Sequence, residues 1–279
     1  MSDTPTAYKA VSVSTWPRLL HAAADPNIEC IHVQNVDGGI VADRPCYLRR
    51  DGLRVVFEVS ALVRAIPSDH WGKKSVGVFN VEGRNIDIHG GTLRMTELDH
   101  TLETLHGVQW IGSRYCTITG MLVHSAPGDS FHAFVSDDSE RRQNGHVGIS
   151  SCHSFQADRN GIGILSGNVG ILGCTIERTT QKSPRAGVCL EPGSSRDVLS
   201  AEIVGNYFDS NTYNLDINLD RQDATSKAVR VTAKGNVWGP SARVNVDVMV
   251  AQRVHFSVNK GAPGAVLDLD CPFTMREPA

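Results

Sequence analysis

The sequence predicts a single right-handed parallel β-helix, an all-β solenoid of short strands, with a short N-terminal capping helix. Three observations carry that expectation. Short runs in which apolar and polar residues alternate recur along the chain: NIDIHGGTL (residues 85–93), YCTITGMLV (115–123), HVGISSCHSF (146–155), NVGILGCTI (168–176), SAEIVGNYF (200–208), VRVTAKGNVW (229–238) and RVHFSVNKG (253–261). Each reads as strand, small-residue turn, strand. Aligning them sets Cys152, Cys174, Asn206, Asn236 and Asn259 in one column at steps of 22, 32, 30 and 23 residues, the period of one three-strand coil with loop insertions in two of the steps. The start of the chain has a helical period instead.

The helix comes first. Between Ser14 and Asp25 the apolar residues Trp16, Leu19, Leu20 and Ala23 recur at i, i+3, i+4 and i+7, Ser14 or Thr15 offers a cap, and Pro17 sits in the first turn. A solenoid leaves the core of its first coil open to water and its strand edges unpaired, so a helix laid over that end has a capping role. The cap is assigned residues 1–27 and the β-helix domain residues 28–279. IECIHVQN (28–35), YLRR (47–50) and LRVVFEV (53–59) read as the first coils, before a Gly- and Lys-containing connection around Trp71 to Ser75. In the later coils the aligned column suits small or amide side chains, because a stacked Asn hydrogen-bonds its neighbours' backbone and Cys fills a tight apolar notch. A leucine-rich repeat of similar length would show a leucine-and-asparagine consensus that this chain lacks.

Composition narrows the function classes. Of 279 residues, 41% are hydrophobic and 20% charged, which supplies a sizeable core and argues against disorder. With 27 Lys plus Arg against 30 Asp plus Glu and no long basic run, nucleic acid is not an expected partner. No apolar stretch is long enough for a membrane span, and the start lacks the basic and apolar regions of a secretory signal. Seven cysteines without a CxxC pair suggest free, buried thiols. These features together lead us to expect a cytoplasmic or virion-associated protein.

Three fragments, APGDSFHAF (126–134), DRNGIGIL (158–165) and PRAGVCLEPG (184–193), resemble a pattern that recurs on successive coils of the pectin-lyase-like superfamily of right-handed β-helix proteins. The resemblance spans roughly residues 28–260 and is nearest to polysaccharide-acting members and phage tailspike-type depolymerases. It implies a carbohydrate-active enzyme that cleaves or epimerises a polysaccharide in a groove on the side of the helix. It does not imply one reaction, since lyases, hydrolases, epimerases and non-catalytic adhesins share the scaffold.

Registering these fragments, with YNLDIN (213–218), on their glycine or serine sends Phe131, Ile162, Val188 and Leu215, then Ala133, Ile164, Leu190 and Ile217, into the core. The outward columns are His132, Gly163, Cys189 and Asp216, and Phe134, Leu165, Glu191 and Asn218. The preceding turn contributes Asp129, Asn160, Ala186 and Tyr213, with Gly128, Arg159 and Arg185 one residue earlier. Because coils stack ~4.8 Å apart, one face gathers acids, arginines and a histidine. Asp129, Glu191, Arg159, His132 and Asp216 are the catalytic candidates; Asp158, Asn160, Arg185, Phe134, Tyr213 and Asn218 are the substrate-binding candidates. A lone Asp in a turn is often a backbone cap, so it is the convergence that singles these acids out. Placed on the outer face, Asp129 and Glu191 are expected to be replaceable with almost no change in the thermal melt.

Two mechanisms fit the set. In a hydrolase, two carboxylates flank the glycosidic bond, ~5–5.5 Å apart for retention or ~6.5–9.5 Å for inversion, and Asp129, Glu191 and Asp216 are available. In a lyase or epimerase, a base such as His132 or an arginine removes the proton next to a uronate carboxylate, while Arg159 or Arg185 clamps that carboxylate. The two arginines lean the expectation toward an acidic polysaccharide. No metal and no cofactor is expected: the acids are dispersed and no DxDxDG-like loop occurs. TELDHTLETLHG (96–107) holds Glu97, Asp99, His100, Glu103 and His106 but lacks HExxH spacing, and reads as an exposed helical or loop insertion flanking the groove. Of the aromatics Trp71, Trp110, Tyr115, Phe134 and Tyr213, only the last two fall near the proposed face. The alternatives are a non-catalytic phage tail or adhesin module that binds glycans, for which a homotrimer is expected, and a β-helix enzyme acting on a small metabolite.

Overall fold

The computed structural model describes residues 9–71, 74–134, 145–165, 167–179, 181–191, 199–218, 229–239, 243–247, 253–257, 260–261, 266–269 and 274–276. From Cys30–Val33 onward successive strands rotate among three sheets, so that each strand pairs in parallel with the strand three places further along the chain. Among the described residues the sheets hold eleven, nine and nine strands, wound as a right-handed parallel β-helix. The apolar side of each strand forms one continuous core down the axis, from Trp16 and Leu19 at one end to Phe208 and Trp238 toward the other.

The helix Trp16–Ala24 (α1) covers the first coil. It buries Trp16, Leu19, Ala22 and Ala23, and the Trp16 indole N–H donates to the Arg44 carbonyl at 3.0 Å. The Trp16 ring stands edge-on to Phe79 at 5.5 Å. Thr15 is the N-cap residue by its extended backbone but makes no side-chain cap bond. A strand that the periodicity did not reveal, Ala10–Val13, precedes the helix and pairs with Cys30–Val33; four residues are too few to show a period.

The turn from the first sheet to the second carries the aligned column. The Cys174 N–H donates to Asn206 Oδ1 at 2.8 Å and the Asn206 N–H to Asn236 Oδ1 at 3.0 Å. The amide groups of Asn206 and Asn236 in turn donate to the carbonyls of Ile171 and Ile203. Asn259 lies outside the described residues. Cys46, Cys116, Cys152, Cys174 and Cys189 are buried free thiols and Cys30 is half-buried; Cys271 lies outside the described residues.

The sheets differ in how they meet solvent. First-sheet strands such as His146–Ser150 alternate between buried and accessible residues. In the third sheet Val76–Val81, Ile162–Ile164 and Ala186–Leu190 are buried at every position, so the outward face is covered along these strands, whereas Tyr47 of the strand Cys46–Leu48 is exposed on it. No helix among the described residues is long and apolar enough to cross a membrane.

Candidate active site

The third sheet builds the site by stacking polar residues at one outward position. Its pairing places Asn80 beside Gln109, Gln109 beside His132, then Gly163, Cys189 and Asp216 in turn. The inward neighbours Phe131, Ile162, Val188 and Leu215 form the expected core column. All of the outward residues are nevertheless buried. The expectation that Asp129 lies on an open face is therefore corrected: Asp129 is 0% exposed and His132 3%, because this stretch of the sheet is buried on both sides.

Asp129 is the hub. Its Oδ2 accepts the His132 Nδ1–H at 2.6 Å and lies 3.1 Å from Arg159 Nη1. The other arm of Arg159, Nη2, donates to Glu191 Oε2 at 2.7 Å, so one guanidinium joins acids from two coils. The side chains of Arg159 and Glu191 are 18% and 21% exposed, making them the solvent-facing end of the network. Gly163 makes this proximity possible: a Cβ there would sit 2.9 Å from Asp129 Cγ and 3.1 Å from His132 Nδ1. Burial alone would raise the Asp129 carboxyl, but the Arg159 charge and the His132 hydrogen bond outweigh it and hold the group well below the usual carboxylate range. Burial likewise opposes the charge on Arg159, yet Asp129 and Glu191 keep its pKa above the ordinary value.

His106 completes the interior side. Its ring stacks on His132 with centroids 4.0 Å apart and 5° between planes. Its Nδ1 accepts the Asp129 backbone N–H at 3.0 Å, which puts its proton on Nε2, 3.2 Å from Ser75 Oγ. Burial, then the adjacent His132, lowers its pKa well below that of free histidine, so it stays neutral. His106, Asp129 and His132 bring ligand-type atoms within 4.8 Å of one another, a spacing a metal ion can use. Here those atoms are engaged with each other and with the Arg159 cation, and the donor set reads as a hydrogen-bond network.

The other sequence candidates divide. Asp216 is buried beside Cys189, whose Sγ lies 3.9 Å from Asp216 Oδ2. Burial, then Asp216, raises the Cys189 thiol far above its ordinary value, so it is a neutral spacer. Asn160 is a turn residue, its Oδ1 accepting the Ala186 N–H at 3.1 Å. Arg185 is exposed with left-handed backbone, and its carbonyl accepts the Tyr213 N–H. Asp158 departs from it and pairs with His100, Nδ1 to Oδ2, at 2.9 Å. The side chains of Phe134 and Asn218 lie outside the described residues. Trp71 and Trp110 are buried in the core and Tyr115 is exposed on the first sheet's side.

Sequence reasoning missed His106 and Gln109. The segment 96–107 is turns and loop up to Thr104, but strand Leu105–Ile111 begins within it, which corrects its reading as insertion throughout. The signal was available: LHGVQWI extends the register back one coil, with Gln109 falling in the His132 column.

No family model and no curated protein matches the chain. Among solved structures it is similar to a pectin methylesterase in complex with a hexasaccharide, with 13% identity and a TM-score of 0.64 over 98% of this chain and 94% of that one. It is also similar to an alginate lyase from Paenibacillus sp., with 12% identity and a TM-score of 0.52 over 92% and 96% of the two chains. At these identities the likeness is one of fold.

Proposed function

We infer that this chain is a carbohydrate-active enzyme acting on an acidic polysaccharide, with His132 as the proton-moving group, Asp129 as its orienting acid, and Arg159 with Glu191 as the substrate-facing pair. The observation that carries the reading is the fully buried Asp129 carboxylate shared between His132 Nδ1–H and Arg159. A carboxylate held ionised and shielded from solvent is poorly suited to be either the acid or the nucleophile of a hydrolase, which disfavours the two-carboxylate mechanism with Asp129 as a member. The same carboxylate fixes the His132 tautomer, puts the lone pair on Nε2 and stabilises the imidazolium formed when that nitrogen takes a proton.

The chemistry that follows is removal of the proton next to a uronate carboxylate, with Arg159 countering the charge that develops. In elimination the C–H electrons form a double bond, the glycosidic C–O bond breaks, and the proton is passed to the leaving oxygen. In epimerisation a proton returns to the opposite face. That an alginate lyase and a hexasaccharide-bound pectin methylesterase share the fold supports this substrate class.

The burial of His132 favours a second reading, a glycan-binding module in which the network stitches three coils together without turnover. A panel of pectic, alginate-type and capsular glycans separates the two. Unsaturated-uronate absorbance that vanishes in His132→Ala supports the elimination; new reducing ends without that absorbance would instead mean hydrolysis. Binding without any turnover would leave the second reading.

A further inference from the structure

The turn from the second sheet to the third carries a second polar cluster that the Asp129 network does not use. Ser125, Gln156, Arg178 and Ser210 occupy equivalent positions on successive coils, all with left-handed backbone at φ 58°, 58°, 63° and 55°. The N–H groups of the first three donate to the carbonyls of Phe155, Glu177 and Asp209 on the next coil, at 2.9, 3.0 and 3.0 Å. The turn from the first sheet to the second has the same left-handed ladder, but fills it with Gly90, Gly120, Gly173, Gly205 and Gly235, Ser151 being the exception. Left-handed backbone is costly for any residue with a Cβ and free for glycine. A chain that uses glycine in one ladder and polar side chains in the other retains those side chains for what they contact beyond the backbone.

What they contact is a cleft of about 700 Å³, lined by the four ladder residues with His100, Asp158 and Gln181. Its walls are tied together. Asp158 accepts from His100 Nδ1–H and lies 3.8 Å from Lys182 Nζ. Lys182 also donates to the carbonyls of His100 and Pro127. The Asp158 charge is thus met from within the protein. Arg178 is held 5.1 Å over the Phe155 ring and has no carboxylate partner among the described residues, which leaves the lining with a cation to offer.

We propose that this cleft is a second sugar subsite, separate from the Asp129 network, that takes an anionic sugar unit: its carboxylate on Arg178, its hydroxyls on Gln156, Gln181 and the two serines. The ligand class rests on the acidic-polysaccharide reading above. Asp158 and Arg159 are consecutive residues, one belonging to each site.

The experiment is saturation-transfer NMR with galacturonate, glucuronate and mannuronate, and glucose as the neutral control. It is run on the unaltered chain, Arg178→Gly, Arg178→Gln and Asp129→Asn. Uronates bind both Arg178 variants roughly tenfold more weakly than the unaltered chain, the loss of one charge-assisted contact, whereas Asp129→Asn loses less than they do. Arg178→Gly melts no lower than Arg178→Gln, because glycine relieves the ladder. Absence of uronate binding, equal binding of glucose, or uronate binding lost in Asp129→Asn but kept in the Arg178 variants overturns the proposal. Turnover on the glycan panel without Arg178-dependent binding sinks the cleft alone. Arg178-dependent binding without turnover removes the catalytic reading and keeps the cleft.

Discussion

Gly163→Ala adds one methyl group at the point where the network is tightest. Gly163 lies in the strand Ile162–Ile164 and its φ is not positive, so alanine suits the backbone and the whole effect is steric. The new Cβ would meet Asp129 Cγ at 2.9 Å and His132 Nδ1 at 3.1 Å, so the 2.6 Å Asp129–His132 hydrogen bond must open. Overfilling a packed site costs about 1–3 kcal/mol, offset by about 0.4–1 kcal/mol from the stiffer unfolded chain. A net loss of about 1–2 kcal/mol corresponds to a melt lowered by roughly 2–8 °C for a domain of this size. Turnover falls further, about a hundredfold, because a base displaced by an ångström loses its reacting geometry. Gly170→Ala is the control, since a Cβ there has nothing within 4 Å; it should match the unaltered chain in turnover and melt at or slightly above it. Thermal unfolding by circular dichroism and rates on the cleaved glycan read both quantities. Native melt and native rate in Gly163→Ala would refute the network as both a packed and a working unit.

Asp129→Asn removes one partner of a buried charge pair, a change that costs about 3–5 kcal/mol, and Arg159 keeps Glu191, which places it near the lower end. The melt should then fall by roughly 6–12 °C. Because the folded carboxyl titrates below its unfolded value, its contribution is full above an unfolded pKa of about 3.9 and is lost as pH falls through the folded value. Urea unfolding across pH should show a constant gap between the two proteins above about pH 5 that narrows below about pH 4; a gap that widens in acid contradicts the assignment. Ile164→Asp puts a charge at a fully buried core position and should abolish folding, a loss of more than about 4 kcal/mol; a soluble variant with native circular dichroism would contradict the inward register.

The register was legible because it depends on two simple periods. Strands alternate their faces every residue and coils stack in line, so aligning four fragments on one small residue reproduced the pairing of Phe131, Ile162, Val188 and Leu215. Burial of the outward face was harder to see, although VGVFNV and AGVCL lack alternation, as strands covered on both sides do. Asp158 and Asp129 looked like members of one cluster because both precede the same kind of strand. In the structure Asp158 bonds to His100 while Arg159 reaches Asp129, since neighbouring residues in a turn project apart. His106 was hidden because its segment is acidic and irregular up to the residue before the strand.

Within the Asp129 network, the side chains from His132 to Glu191 come from three adjoining coils, Asp129 and His132 from one, Arg159 from the next and Glu191 from the one after, with His106 stacked from the coil before. Each coil in such a stack touches only its neighbours. Whole turns inserted or removed near either end would therefore leave the local geometry of these four side chains as it is, while an insertion between two of those coils would part them by the thickness of a layer. For this network, the architecture tolerates growth everywhere except across this short stretch.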